Sequence, residues 1–314
     1  MENSANSKRI AKNTLLLYIR TFFTMAIGLY ASRVILNVLG VDDYGIYNVV
    51  GGVVAMFSVI SGALSSSISR FITFELGRGN IERLKIIFST SVNIQMFFAL
   101  IILIIGSILG GWFLNHKMNI PHERMLAANW VLYCSLITFC VNLISLPYNA
   151  CIIAHERMKA FAYISILEAV LKLAILCLLL VSPFDKLSTY TVLLTLVALL
   201  VRIIYGIYCK RSFEECDYKF VYDKAVVKAM SAFASWNLFG NGAYLLNTQG
   251  VNILINLYFG VTTNAARGIA AQVETAVSSF VGNFTTAMNP QITKSYATGN
   301  LKYMFQLVCY GAKY

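Results

Sequence analysis

The sequence predicts an all-α protein that crosses a membrane many times. Three observations point that way. The chain of 314 residues is 58% hydrophobic and only 12% charged, with a mean hydropathy of +0.68, whereas about a quarter of a soluble domain is charged. Its apolar residues fall in runs of about 20 or more, the length a helix needs to cross about 30 Å of hydrocarbon. Its basic residues gather in alternate breaks between those runs.

The elements follow in order. The first run, 13–39, comes after Lys8, Arg9 and Lys12, as in a signal peptide. Its length, with Arg20 and Arg33 inside it, reads instead as a spanning helix that stays attached. Gly40-Val41-Asp42-Asp43 forms a turn before a second helix at 44–69, and Gly77-Arg78-Gly79-Asn80 a turn before a third at 86–114. Pro121 precedes a fourth helix, 125–154, which Pro147 should bend. Pro183 closes a fifth at 160–182, because proline lacks the amide hydrogen a helix uses. A sixth spans 188–209. The longest polar stretch, 210–228, leads to a seventh at 229–259 and an eighth at 263–289, ended by Pro290; a ninth begins near Lys302.

This helix count can be tested against the distribution of charge. With the N-terminus in the cytoplasm, one set of breaks holds sixteen basic residues: Lys8, Arg9, Lys12, Arg70, Arg78, Arg83, Lys85, Arg157, Lys159, Lys210, Arg211, Lys219, Lys224, Lys228, Lys294 and Lys302. The other set holds three, Lys117, Arg124 and Lys186. Cytoplasmic loops carry such an excess. The bias accounts for most of the net charge of +11 and removes the argument for a nucleic-acid partner. The seven cysteines form no C-x-x-C, and His116, His122 and His155 are scattered, so no metal or cofactor site is expected.

An internal repeat is visible. Shifting by 220 residues aligns Ile35–Leu84 with Ile255–Met304 without a gap, and the identities include Gly40/Gly260, Gly62/Gly282, Gly79/Gly299 and Asn80/Asn300. Six helices separate the copies, so both run the same way. Parallel repeats of this kind, related by an axis along the membrane normal, are a transporter design. The expected organisation is a six-helix bundle at 1–209, a cytoplasmic linker at 210–228, and the start of a second, truncated bundle at 229–314, with a cavity between bundles.

Seven charges lie inside apolar runs: Arg20, Arg33, Glu168, Lys172, Arg202, Arg267 and Glu274. A charge at mid-bilayer costs at least about 2.5–3.5 kcal/mol and normally faces water or a partner. Five of the seven are cations, which suits a pathway for an anion. Arg20, Arg33 and Arg202 could instead anchor at an interface by snorkelling. Glu168 and Lys172, at i and i+4, could simply neutralise each other. Arg267 and Glu274 share a face. Asn237, Asn241, Thr248, Asn252 and Asn256 form a polar stripe suited to sugar hydroxyls or to helix–helix hydrogen bonds. Gly51, Ser58, Gly62, Ser65 and Ser69 read as a packing seam.

Three segments carry a family resemblance: SRVILNVLGVDDYGIYNVVGGVVAMFSVISGALSSSISRFI at 32–72, LPYNACIIAHERMKAFAYISILEAVLKLAIL at 146–176, and MNPQITKSYATGN at 288–300. The chain resembles the multidrug/oligosaccharidyl-lipid/polysaccharide exporter (MOP) superfamily, and within it the Wzx-like polysaccharide or O-antigen flippases. The resemblance implies two bundles around a central cavity in a bacterial inner membrane. It implies a polyprenyl-diphosphate-linked oligosaccharide as substrate, with a polysaccharide polymerase and glycosyltransferases as partners beside the lipid bilayer. Arg20, Arg33, Lys172, Arg202 and Arg267 would then hold the diphosphate, Asn241 and Asn252 the sugar, and Glu274 and Glu168 would couple transport to an ion gradient or the membrane potential. Three competitors stand beside this reading: a multidrug exporter, for which the cationic interior is wrong; a membrane enzyme, which would need a large non-cytoplasmic loop or an acidic metal motif, whereas the loops on that side are short; and a non-transporting scaffold.

Overall fold

The computed structural model describes residues 2–116, 118 and 120–313; side chains at 2–7, 55, 245–246, 248–250, 252–257, 259–269, 272–273, 276 and 313 lie outside the description. The described residues form eight α-helices with no strand: α1 (Glu2–Ala55), α2 (Ser58–Arg78), α3 (Ile81–His116), α4 (Met125–Ala154), α5 (Met158–Val181), α6 (Lys186–Ser212), α7 (Lys224–Ala297) and α8 (Leu301–Lys313). Five described stretches, Lys8–Val54, Ile81–His116, His122–Ala154, Met158–Val181 and Lys186–Ser212, are long and apolar enough to cross a membrane.

Two of the helices are bent back on themselves. Gly40 in α1 sits at φ 80°, ψ 172°, outside helical geometry. Leu17 packs on Met158 at the start of α5, whereas Asp43 pairs with Arg124 at the start of α4. The chain therefore runs from one face of the bundle to the other and reverses at Gly40. The second helix, expected at 44–69, occupies 41–78 with a bend at Met56–Phe57, and its last two turns carry Arg70 and Arg78 out of the expected loop. In α7, Phe233 and Asn289 line the same cavity. A straight helix would separate them by about 84 Å at 1.5 Å per residue, so α7 also returns on itself, as the two expected helices require. Pro290 lies inside α7 rather than at its end, and the helix continues to Ala297. Residues 210–228 are no free loop: Asn93 Nδ2 donates to the Val221 carbonyl, the Tyr218 hydroxyl donates to Asn93, and His155 Nε2 pairs with Glu215.

The core of the first bundle is apolar and continuous through α1–α6, with Phe88, Leu132, Leu136, Leu143 and Ile152 fully buried. At the opposite end from most basic residues, Arg124 bridges Asp43 at 3.2 Å and Asp185 at 2.6 Å, tying α1, α4 and α6.

The repeat is visible as geometry. Gly79 and Gly299 sit at φ 72° and 77°, the left-handed region that glycine enters without a Cβ clash. Asn80 Oδ1 accepts from the Arg83 amide at 3.0 Å, and Asn300 Oδ1 from the Tyr303 amide at 3.2 Å. Each copy thus ends one helix and caps the next with the same pair.

Gly77, read from sequence as part of the turn, is instead a helical contact point. A Cβ there would lie 2.9 Å from Ala297 Cβ and 3.0 Å from Lys294 Cα. Gly77→Ala therefore pushes α2 off α7 and should destabilise by about 1–3 kcal/mol. Gly79→Ala meets nothing within 4 Å and should lose only the left-handed penalty, about 1–2 kcal/mol. Thermal unfolding in detergent checks both, and only Gly77→Ala should also weaken the association of α7 with α2 under limited proteolysis.

Candidate functional site

The intramembrane charges gather partly. Arg20 on α1 projects towards α5, with its guanidinium 4.6 Å from the Phe161 ring centre. Its Nε is buried and makes no hydrogen bond among the described residues. Glu168 and Tyr205 lie within electrostatic reach of it. Glu168 in turn accepts from Lys172 Nζ at 2.6 Å. Glu168 is thus paired with Lys172 on its own helix, and Arg20 feels its charge without forming an ion pair with it.

The remaining candidates stand apart. Arg202 lies apart from them; its guanidinium stacks on Tyr148 of α4 at 3.8 Å, a contact that strengthens where water is excluded. Arg33 is exposed and has no ion pair among the described residues. Asn241 is exposed and faces Gly62 of α2, its Nδ2 3.9 Å from where a Cβ would stand. Asn237 of the polar stripe donates to its own helix at the Phe233 carbonyl. Glu274 is exposed. Arg267 and Asn252, with Thr248 and Asn256 of the stripe, lie outside the described side chains.

Two features join the first bundle to the second copy. One is a polar cleft of about 470 Å³ between α2, α4 and both legs of α7, lined by Ser65, Ser66, Ser69, Arg70, Thr73, Thr286, Asn289 and Thr293. Ser65 and Ser69, expected in a packing seam, face this cleft. Arg70 stacks on Phe233 at 4.3 Å across it.

The other is Glu156, whose side chain is 2% exposed. It receives Arg9 Nε at 2.7 Å, Lys294 Nζ at 2.9 Å, and Gln291 Nε2 at 2.9 and 2.8 Å. One carboxylate therefore ties the α4–α5 turn to α1 and to the return leg of α7. Its backbone sits at φ 57°, the only non-glycine residue at positive φ among those described, a conformation that persists only when its surroundings hold it. Beside it, Leu17, Met158 and Ala287 pack together, as do Ile10, Tyr303 and Leu307. Asn283 Nδ2 reaches Thr21 at 2.7 Å and Tyr18 meets Phe280 edge-on. Beyond Thr21 the described α1 side chains Phe22, Phe23, Met25, Leu29 and Tyr30 are exposed. The contact between the copies is thus made at the basic face.

Sequence reasoning missed Glu156, Gln291 and Arg70. The signal available was a lone acid, Glu156, set among Arg157 and Lys159 where every other charge nearby is positive; Gln291 and Lys294 stand one turn apart in the MNPQITK segment.

Solved transporters share this fold. An outward-facing multidrug resistance MATE family transporter superposes with a TM-score of 0.83 at 12% identity, covering 98% of this chain and 69% of that one. The Vibrio cholerae MATE transporter VcmN, in its bent form, gives 0.78 at 16% over the same shares of 98% and 69%. A Pyrococcus furiosus MOP transporter, described as having a binding pocket of reverse polarity that suggests a different function, gives 0.75 at 13%, again over 98% and 69%. The chain belongs to the polysaccharide biosynthesis protein family, which it matches over residues 10–296. It is 22% identical over 275 residues to the uncharacterized membrane protein EpsK of Bacillus subtilis (strain 168), covering 85% of this chain and 53% of that protein; it spans about half the length of that relative. The resemblance read from the motifs holds for family and fold.

Removing one member of a buried charge group strands the others. Glu156→Ala should destabilise by about 3 kcal/mol, and Glu156→Gln by less, because the amide oxygen still accepts from Gln291. Arg9→Gln, at a half-exposed partner, should cost under about 1 kcal/mol. Detergent thermal shifts rank the three.

Proposed function

We propose that the protein belongs to a flippase that moves a polyprenyl-diphosphate-linked oligosaccharide across a bacterial inner membrane, with the N-terminus and the basic face in the cytoplasm. The observation that carries this reading is Arg20: a cation on a spanning helix, with a buried nitrogen that no described residue satisfies. An unfilled charged donor at that depth is costly unless a ligand completes it. A diphosphate does so, because guanidinium binds phosphate oxygens in a fork.

In this reading Lys172, Arg202, Arg33 and Arg267 add to a cationic pathway for the diphosphate, and Asn241 and Asn252 meet sugar hydroxyls. Glu168, paired with Lys172, and Glu274 are the acids whose protonation or sodium binding would couple the cycle. A diphosphate arriving at Arg20 lies within electrostatic reach of Glu168, which links substrate binding to the charge state of the acid. Alternating access then consists of opening the Glu156 contact at the cytoplasmic face while the opposite side closes. The relative described with a reverse-polarity pocket shows that this fold accommodates more than one pocket charge. Polymerase and glycosyltransferase partners would supply and consume the lipid-linked sugar.

A second reading, a multidrug antiporter, is favoured by the superposition on multidrug transporters. Proteoliposome assays separate the two. The flippase reading expects translocation of a polyprenyl-diphosphate oligosaccharide and none of cationic dyes. Arg20→Gln should lower its rate by tenfold or more, the loss of one charge-assisted hydrogen bond of about 1.5–3 kcal/mol. Dye antiport that survives Arg20→Gln would establish the drug reading instead.

A further inference from the structure

A second cavity, of about 660 Å³, lies at the basic face between α1, the α4–α5 turn and α6. It is separate from the polar cleft and from Arg20. Three cations line it, Lys12, Arg157 and Lys159, and none makes an ion pair among the described residues. Glu156 also lines it, but its carboxylate is turned towards Arg9, Gln291 and Lys294, which neutralise it. The local field is therefore positive.

The cavity also holds donors that lack acceptors. Asn13 lines it and is 6% exposed, yet its Nδ2 is buried without a hydrogen-bond partner among the described residues. A buried amide of this kind loses its hydration with nothing in return unless a ligand supplies an acceptor. The start of α5 lies at the same place: Met158, Lys159 and Ala160 line the cavity, and Arg157, which precedes the helix, gives no side-chain cap. Helix N-termini favour anions. The rest of the wall is apolar or amphipathic: Leu16, Ile164 and Ile204, with Tyr163 67% exposed.

We infer that this cavity binds the phosphate headgroup of an anionic lipid, with its hydrocarbon chain lying along the apolar wall between α1, α5 and α6. Lys12, Arg157 and Lys159 neutralise the phosphate, and Asn13 Nδ2 and the first amides of α5 donate to its oxygens. Basic pockets between membrane helices bind phospholipid headgroups in this way. The turn that positions Arg157 and Lys159 is the one that Glu156 holds at positive φ, so an occupied pocket stiffens the same hinge. This inference rests on the cavity alone and stands whether or not the chain transports.

Native mass spectrometry of the purified chain in detergent, titrated separately with phosphatidylglycerol, phosphatidylcholine, a polyprenyl diphosphate and inorganic pyrophosphate, tests it. Retention of phosphatidylglycerol or the polyprenyl diphosphate over phosphatidylcholine is expected, and which of the two binds tighter identifies the source of the headgroup. The triple change Lys12→Gln, Arg157→Gln, Lys159→Gln should weaken binding roughly a hundredfold, and Lys159→Gln alone about fivefold. A control that removes three basic residues elsewhere on this face, Lys219→Gln, Lys224→Gln, Lys228→Gln, should leave binding within about twofold. Equal retention of phosphatidylcholine, binding of pyrophosphate alone, equal loss in the control, or no loss in either cavity variant would overturn the assignment.

Discussion

The structure depends on one buried carboxylate. Glu156 is withdrawn from water and compensated by two cations and an amide that come from different parts of the chain. In a membrane, helices gain little from packing apolar surface on one another, because lipid is just as apolar. Polar contacts and close approach must therefore set which helices meet. Glu156 does this for α1, the α4–α5 turn and the return leg of α7, and the strained backbone beneath it persists because three side chains from two other helices define its place. The small clusters around Leu17 and Ile10 then pack where that contact has already brought the helices together.

Around this point the repeat supplies the rest of the geometry. The left-handed glycines Gly79 and Gly299, each followed by an asparagine cap, end corresponding helices at the same face. Gly77 lets α2 lie against the backbone of α7. Both copies are thus anchored at the basic face, while Phe22, Phe23, Met25, Leu29 and Tyr30 of α1 are exposed. An arrangement held at one end by a few charged contacts can exchange them for others at the opposite end. Large buried apolar interfaces could not do so at comparable cost.

Much of this was legible in the sequence. Helix positions and their alternation followed from apolar run length and from where Lys and Arg accumulate, because membrane thickness and charge placement constrain them directly. The turn glycines Gly40, Gly79 and Gly299 were legible for a related reason: only a few residues tolerate positive φ. Local extents were less so. The second helix runs past its serines to Arg78, and α7 continues through Pro290 to Ala297, extents set by packing between α2 and α7 rather than by local punctuation residues. The charge group was half legible. Glu168 and Lys172 declared themselves by spacing within one helix, but Arg20 reaching Phe161, and Arg202 turning to Tyr148, depend on packing between helices. Glu156 was hidden because it lies at a helix end among cations, where an acid reads as ordinary surface charge.

The central claim is that Glu156 holds the two repeat-related parts together at the basic face. Double electron–electron resonance between spin labels at Glu82→Cys on α3 and Lys302→Cys on α8, with exposed Cys177 and Cys309 changed to Ser, measures that closure directly. Both label positions are exposed. The account predicts one narrow distance population with Glu156 in place and a second, longer one in Glu156→Ala. Superimposable distributions would show that the face is held by something other than this carboxylate.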